Sequence, residues 1–98
     1  MINAKVDANH PTIRTQTKAA GLDWLDTFRL GDGAPDAIVS GVPRWGDRPV
    51  SVQVEIKHGK GKLTPKEQAY IDAMRYPGAY IVARDVEDIL SWFGMVQP

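Results

Sequence analysis

The chain predicts an α/β fold: a small mixed β-sheet flanked by helices, in the order α-β-β-β-α-β-α. Three observations carry that expectation. Residues 50–57, Val-Ser-Val-Gln-Val-Glu-Ile-Lys, alternate with the two-residue period of a strand. Val50, Val52, Val54 and Ile56 share one face, and Ser51, Gln53, Glu55 and Lys57 the other. Leu63-Thr64-Pro65-Lys66-Glu67-Gln68 then reads as a helix start, and a short apolar run at Ala79 to Ala83 follows that helix. A helix between two strands predicts a right-handed crossover to a parallel partner.

The elements follow in order. Met1 to Ala8 carries no periodicity and reads as a flexible arm. Asn9 can cap a helix that admits Pro11 in its first turn and runs from about Pro11 to Ala20, with Gly21 as its stop. Ile13, Thr17 and Ala20 form its thin inner stripe. Leu22 to Leu30 predicts a first strand with Trp24, Asp26, Phe28 and Leu30 on one face. Gly31-Asp32-Gly33-Ala34-Pro35 is turn chemistry. Asp36 to Ser40 predicts a second strand, and Gly41 to Pro49, with its glycines and prolines, a hairpin loop. Trp45 near the loop tip is a partner contact or folds back over the sheet.

After the central strand comes the loop His58-Gly59-Lys60-Gly61-Lys62. Thr64 to Glu67 matches a capping box, with Pro65 at the first helical position and Leu63 as a staple. This helix is expected to reach about Arg75, ended by Pro77-Gly78. Asp85 caps a last helix with Glu87 and Asp88 in its first turn, where acids suit the dipole, and Gly94 stops it.

Composition bounds the function. At 98 residues and 43% apolar, the chain is expected to be a single domain, residues 1–98, with one modest core. It has no apolar run of about 18 residues, so no membrane partner is expected. The start lacks a signal-peptide pattern, and the absence of cysteine excludes disulfides, thiolate metal sites and cysteine nucleophiles; a cytoplasmic location fits. Formal net charge is zero, so any attraction to nucleic acid must be local. It is local here: Lys57, Lys60, Lys62 and Lys66, with His58, form a basic stretch without an acid until Glu67. Such a stretch binds phosphates or is simply a solvated loop.

The chemistry concentrates on Asp36, Glu55 and Lys57. Glu55 and Lys57 lie two positions apart on one strand face, so roughly 6.5–7 Å apart along it. Hydrolysis of a phosphodiester needs a polarised phosphate, an activated water and a stabilised leaving group, all of which Mg²⁺ can supply. Mg²⁺ prefers oxygen and is often held by one or two carboxylates plus waters. Asp36 and Glu55 would be that pair if their strands are neighbours, and the backbone carbonyl of Ile56 could add a third oxygen. Lys57 could orient the water or neutralise charge on the phosphate, and Gln68 could hydrogen-bond the lysine or the water. His58, Lys60, Lys62 and Lys66 would hold flanking DNA phosphates. Singly, each residue has an ordinary explanation, a solvated ion pair or a turn aspartate. Their combination in this order favours catalysis.

Gly33-x-Pro35-Asp36, then Glu55-Ile56-Lys57 nineteen residues on from the aspartate, then Leu63-Thr64-Pro65-x-x-Gln68, resembles the PD-(D/E)XK nuclease superfamily. Within it the closest look is to the VRR-NUC type, small nuclease domains of phages, bacteria and eukaryotic repair nucleases. The resemblance covers about residues 9–94. It implies a restriction-endonuclease-like core, metal-binding Asp36 and Glu55, a catalytic Lys57, and Gln68 on the following helix. It further implies Mg²⁺ or Mn²⁺ as cofactor, DNA as partner, and a homodimeric endonuclease specific for branched or junction DNA. One departure stands out. The family places a glutamate on the first helix, and residues 9–20 contain no acid. His10, Gln16 or a folded-back Asp7 are the candidates to replace it. As ligands elsewhere His10 and His58 are not expected; both read as surface residues. The alternative function is a catalytically weak or inactive DNA-binding module on the same fold.

Overall fold

The computed structural model describes residues 7–95. The expected arm therefore falls, for residues 1–6, outside the described residues. Among the described residues there are three α-helices and a four-stranded mixed sheet. In chain order they are α1 (His10–Ala19), β1 (Asp23–Asp26), β2 (Ala37–Gly41), β3 (Val50–Ile56), α2 (Pro65–Asp72), β4 (Tyr80–Ala83) and α3 (Val86–Trp92). Short 3-10 turns occupy Phe28–Leu30 and Pro77–Ala79.

The spatial order is β1-β2-β3-β4. The β1–β2 and β2–β3 pairs are antiparallel, and β3 runs parallel to β4 across the α2 connection. Register puts Trp24, Val39 and Val52 in one row, and Ala37, Val54 and Ile81 in the next. Both rows face α1 and α3. There Ile13 from α1 and Ile89 and Phe93 from the α3 end meet Val39, Val52, Val54, Ile56 and Ala83 in a fully buried core. Each such side chain removed from water contributes about 1.5–3 kcal/mol before the entropy of ordering it.

Both glycine stops are Schellman turns. Gly21 (φ +90°) lets its amide bond to Lys18 and that of Leu22 to Thr17, ending α1. Gly94 (φ +71°) does the same for α3 through Ser91 and Leu90. Asp85 caps α3, its side chain accepting from the Asp88 amide.

Four expectations need correcting. The first strand is shorter than Leu22 to Leu30, because Thr27 turns the chain: its amide donates to the Asp36 carbonyl at 2.8 Å and its hydroxyl to the Pro35 carbonyl at 2.7 Å. Phe28 and Leu30 therefore leave the face shared by Trp24 and Asp26. Second, α2 ends at Asp72 rather than Arg75, since Tyr76 precedes Pro77 and is held out of the helical region (φ −125°, ψ 74°). Third, Asn9 occupies the N-cap position of α1 without capping it. Its side chain donates instead to the carbonyls of Lys57 and Arg84, at 3.3 and 3.0 Å. Fourth, Trp45 rests on the end of α3 rather than on the sheet. Its indole N–H donates to the Trp92 carbonyl at 2.9 Å, and the two rings meet edge to face.

Candidate active site

The second face of the sheet carries the polar groups. α2 lies over it but buries none of its own residues fully. Tyr70 of α2 donates to Gln53 and lies near Tyr80, whose buried hydroxyl has no partner. Burial, together with the negative charge of Glu55, Glu67 and Asp36, holds that hydroxyl well above its ordinary value.

One end of this face opens into a cavity of about 430 Å³. Asp36, Glu55, Lys57 and Glu67 line it, with Asp7 and Lys66. Asp36 enters just ahead of β2, where its backbone is pinned on both sides. Its amide donates to the Val54 carbonyl at 2.9 Å and its carbonyl accepts from Thr27. Its Oδ2 accepts from the Ile56 amide at 2.7 Å. That bond sets the carboxylate beside the peptide of Ile56, the residue expected to lend its carbonyl; the Ile56 side chain itself is core. Glu55 projects from the last turn of the β3 ladder, opposite Val82 of β4, and is only 4% exposed.

Asp36 and Glu55 thus converge from adjacent strands, and their proximity has an electrostatic price. Burial pushes the Glu55 carboxyl up to about 9 from its ordinary 4.5, and the neighbouring acids Asp36 and Glu67 add to the rise. Counted as a carboxylate, Glu55 leaves Oε1 buried without a donor. Lys57 does not cure this. Its Nζ lies 3.6 Å from Glu55 Oε2 but 2.7 Å from Glu67 Oε1. Burial alone would lower the lysine, yet Glu67, Glu55 and Asp7 hold its ammonium above the ordinary value.

Glu67 was not among the residues singled out from sequence. It is the third residue of the capping box, where Thr64 Oγ1 accepts from the Glu67 amide at 3.2 Å and Glu67 Oε1 accepts from the Thr64 amide at 2.8 Å. The same Oε1 takes the Lys57 ammonium. Although burial opposes ionisation, Lys57 and the Thr64 amide keep Glu67 below its ordinary value. The capping box was the available signal: it folds an N3 glutamate back toward the preceding loop, and that loop begins at Lys57. Gln68, one position on, turns away. It is exposed, and its side chain donates to Asp72 at 2.9 Å, so the structure does not bring it to the cluster.

The loop on this side closes tightly. Gly31, Asp32 and Gly33 all have positive φ, and a Cβ on Gly33 would overlap the Lys66 carbonyl. Only glycine lets the loop before Asp36 touch the start of α2. His58, Lys60, Lys62 and Lys66 are all exposed, and of these Lys66 lines the cavity. Arg84 pins their loop by donating to the Gly59 carbonyl at 2.7 Å, and Lys66 lies 3.8 Å from Asp32.

Of the three candidates to replace the missing helix acid, one reaches the cavity. Asp7 lines it. Gln16 is exposed on α1. His10 is buried rather than at the surface, at 3% exposure, packed edge-on against Trp24 and Phe28. Its Nε2 lies 3.3 Å from Asp26 Oδ1, an acid that also accepts from Arg14 and Trp24. Burial works against Asp26, but those donors hold its carboxyl below the ordinary range. His10 thus belongs to a structural hub between α1 and β1.

The residues fit a hard divalent cation in donor chemistry: two oxygen donors side by side, one with a buried unpaired oxygen and a proton it would surrender to a cation. Among the described residues no three carboxylate or imidazole groups already converge as a finished metal centre. No family model, no curated protein and no solved structure matches the chain. No helix among the described residues is long and apolar enough to cross a membrane.

Proposed function

We propose that the chain is a divalent-metal-dependent deoxyribonuclease built on a restriction-endonuclease-like core, as its resemblance to VRR-NUC domains implies. The observation that carries this reading is the meeting of Asp36 and Glu55 from neighbouring strands in one cavity, with Lys57 3.6 Å from the glutamate. A bound Mg²⁺ or Mn²⁺ would polarise the phosphate and make its water acidic. Asp36, its Oδ2 fixed by the Ile56 amide, would hold the ion beside Glu55. Glu55, protonated without metal, would be the second carboxylate to hold the ion, giving its proton to water. Lys57, kept charged by Glu67, neutralises the phosphate oxygens as charge builds on them. His58, Lys60, Lys62 and Lys66 hold the flanking phosphates. Gln68 has no part in this scheme, being engaged with Asp72. Branched or junction DNA is the expected substrate, and a homodimer would place two such sites on two strands.

The test is cleavage of plasmid and of a synthetic four-way junction by the purified chain with Mg²⁺ or Mn²⁺. Nicking should vanish in Asp36→Ala, Glu55→Ala and Lys57→Ala while each variant keeps its far-UV circular dichroism. If all three cut like the parent, the assignment is wrong. The second reading is a DNA-binding module without efficient chemistry. It is favoured by the lack of a third converging ligand among the described residues. It predicts salt-sensitive binding, weakened in Lys60→Ala and Lys62→Ala, and no cleavage with either metal.

A further inference from the structure

We propose that Trp45 and the arginines near it form a second nucleic-acid contact, where an unpaired base of single-stranded DNA stacks on the indole. The inference rests on the DNA-binding part of the reading above and is independent of the metal. β2 and β3 are antiparallel, so their connecting loop lies at the end of the sheet opposite Asp36 and Glu55. β3 is seven residues long, which separates the two ends by about 20 Å. β3 and β4 are parallel, so the turn before β4 comes to the same end as that loop. There the chain gathers Arg44, Trp45 and Arg48 from one connection with Arg75 and Tyr76 from the other, all of them exposed.

Trp45 is exposed and yet fixed. The Gly46 amide donates to the Pro43 carbonyl at 3.2 Å, closing a turn with Arg44 and Trp45 at its centre. Pro43 is fully buried, and the Arg44 amide donates at 2.8 Å to the carbonyl of Phe93, a core residue. The Trp92 carbonyl accepts from the Trp45 indole N–H. Trp92 donates in turn to the Gly78 carbonyl at 3.1 Å, which joins the two connections. Gly94 has no side chain where the indole Cδ1 comes close. The pyrrole edge of Trp45 is thereby anchored, while the residue stays 61% exposed. A ring already held in place loses little freedom when a base stacks on it. The charges agree. Asp23 and Asp47 share this end of the sheet, yet among the described residues Arg44, Arg48 and Arg75 make no ion pair. Unpaired guanidiniums near an exposed ring suit a strand that carries a phosphate for every base. A duplex keeps its base faces stacked inside, so the occupant is an unpaired strand. A second copy of the chain fits less well, since a two-fold contact would bring these arginines toward their own counterparts.

The test is fluorescence anisotropy of a labelled oligothymidylate, single-stranded or paired with oligoadenylate, in EDTA, together with the tryptophan emission of the protein. The single strand should quench the emission of the parent. Trp45→Ala should weaken its binding about 10-fold or more and leave duplex binding unchanged. Trp45→Phe keeps a ring, so it should retain most of the affinity while the quenching is lost. Arg44→Ala should lower the slope of log affinity against log salt by about 0.7. Equal single-strand affinity in the parent and Trp45→Ala overturns the inference and leaves the nuclease reading standing. Quenching that persists in Trp45→Phe overturns it too, and decides the matter if Trp45→Ala fails to fold. An equal loss of single-strand and duplex binding in Trp45→Ala shows that no stacked base is read there, and also overturns it. A dimer in sedimentation that Trp45→Ala dissolves, with DNA binding unchanged, assigns the ring to a second copy instead. A parent chain that binds neither form of DNA removes the DNA-binding reading and this inference together.

Discussion

From β3, Val52, Val54 and Ile56 point one way, while Gln53 and Glu55 point the other, with Lys57 just past the strand end. The first set lies under α1 and α3 with essentially no exposure. The second lies under α2, which buries no residue fully and touches the sheet through Tyr70 and Glu67. One face holds the fold together by removing apolar surface from water. The other tolerates buried, mutually repelling acids that an apolar core would reject. The contrast teaches that an apolar core and a buried polar cluster are separable along a single strand, residue by residue.

Changes on the two faces should therefore read out differently. The largest effect belongs to Phe93→Ala, which empties the centre of the apolar face and should cost about 3–5 kcal/mol in urea unfolding. A loss under about 1 kcal/mol would break the division between the faces. Next, Lys57→Ala should lower metal-dependent cleavage by about 10²–10³-fold with far-UV circular dichroism unchanged. A fall in folded content that matches the fall in rate would mean the polar face is structural too.

Glu55→Gln comes third, and pH gives it a sign. In the metal-free protein the glutamate holds a proton up to about 9, whereas the unfolded chain loses it near 4.5. Its contribution to stability is full below the lower value and disappears as pH rises through the upper one. Denaturation midpoints of the parent should fall between pH 5 and 9, and Glu55→Gln should flatten that slope. At pH 8 the substitution should stabilise the metal-free chain by about 1–3 kcal/mol, while Mn²⁺ binding is lost. A parent profile that rises over this range rejects the protonated form. The smallest effect is expected for Gln68→Ala, within about 0.5 kcal/mol in stability and without change in cleavage. A strong loss of activity there would return Gln68 to the site and displace Glu67 from it.

Much of the apolar face was legible in the sequence, because periodicity and helix stops are local. The two-residue alternation of residues 50–57 marked β3, and Gly21 and Gly94 marked the ends of α1 and α3. Asp36, Glu55 and Lys57 were legible as a pattern, through their order and their placement at strand ends. What escaped depends on contacts between distant residues. Glu67 and Gln68 differ by one helical step of about 100°, and only the packing of α2 on β3 decides which of them meets Lys57. His10 looks solvent-facing on a polar stretch, yet Trp24, Phe28 and Asp26 enclose it from outside its own helix. The strand before Thr27 reads long because Phe28 and Leu30 keep the alternation, while a hydroxyl bonding to Pro35 ends it.

One oxygen, Glu67 Oε1, receives both the amide that starts α2 and the ammonium of Lys57. Fraying of that first helical turn and release of the lysine are then one event. Amide hydrogen exchange at Thr64 should report it, speeding in Glu67→Ala. One carboxylate oxygen thus fastens the first turn of the helix and the lysine of the neighbouring strand together.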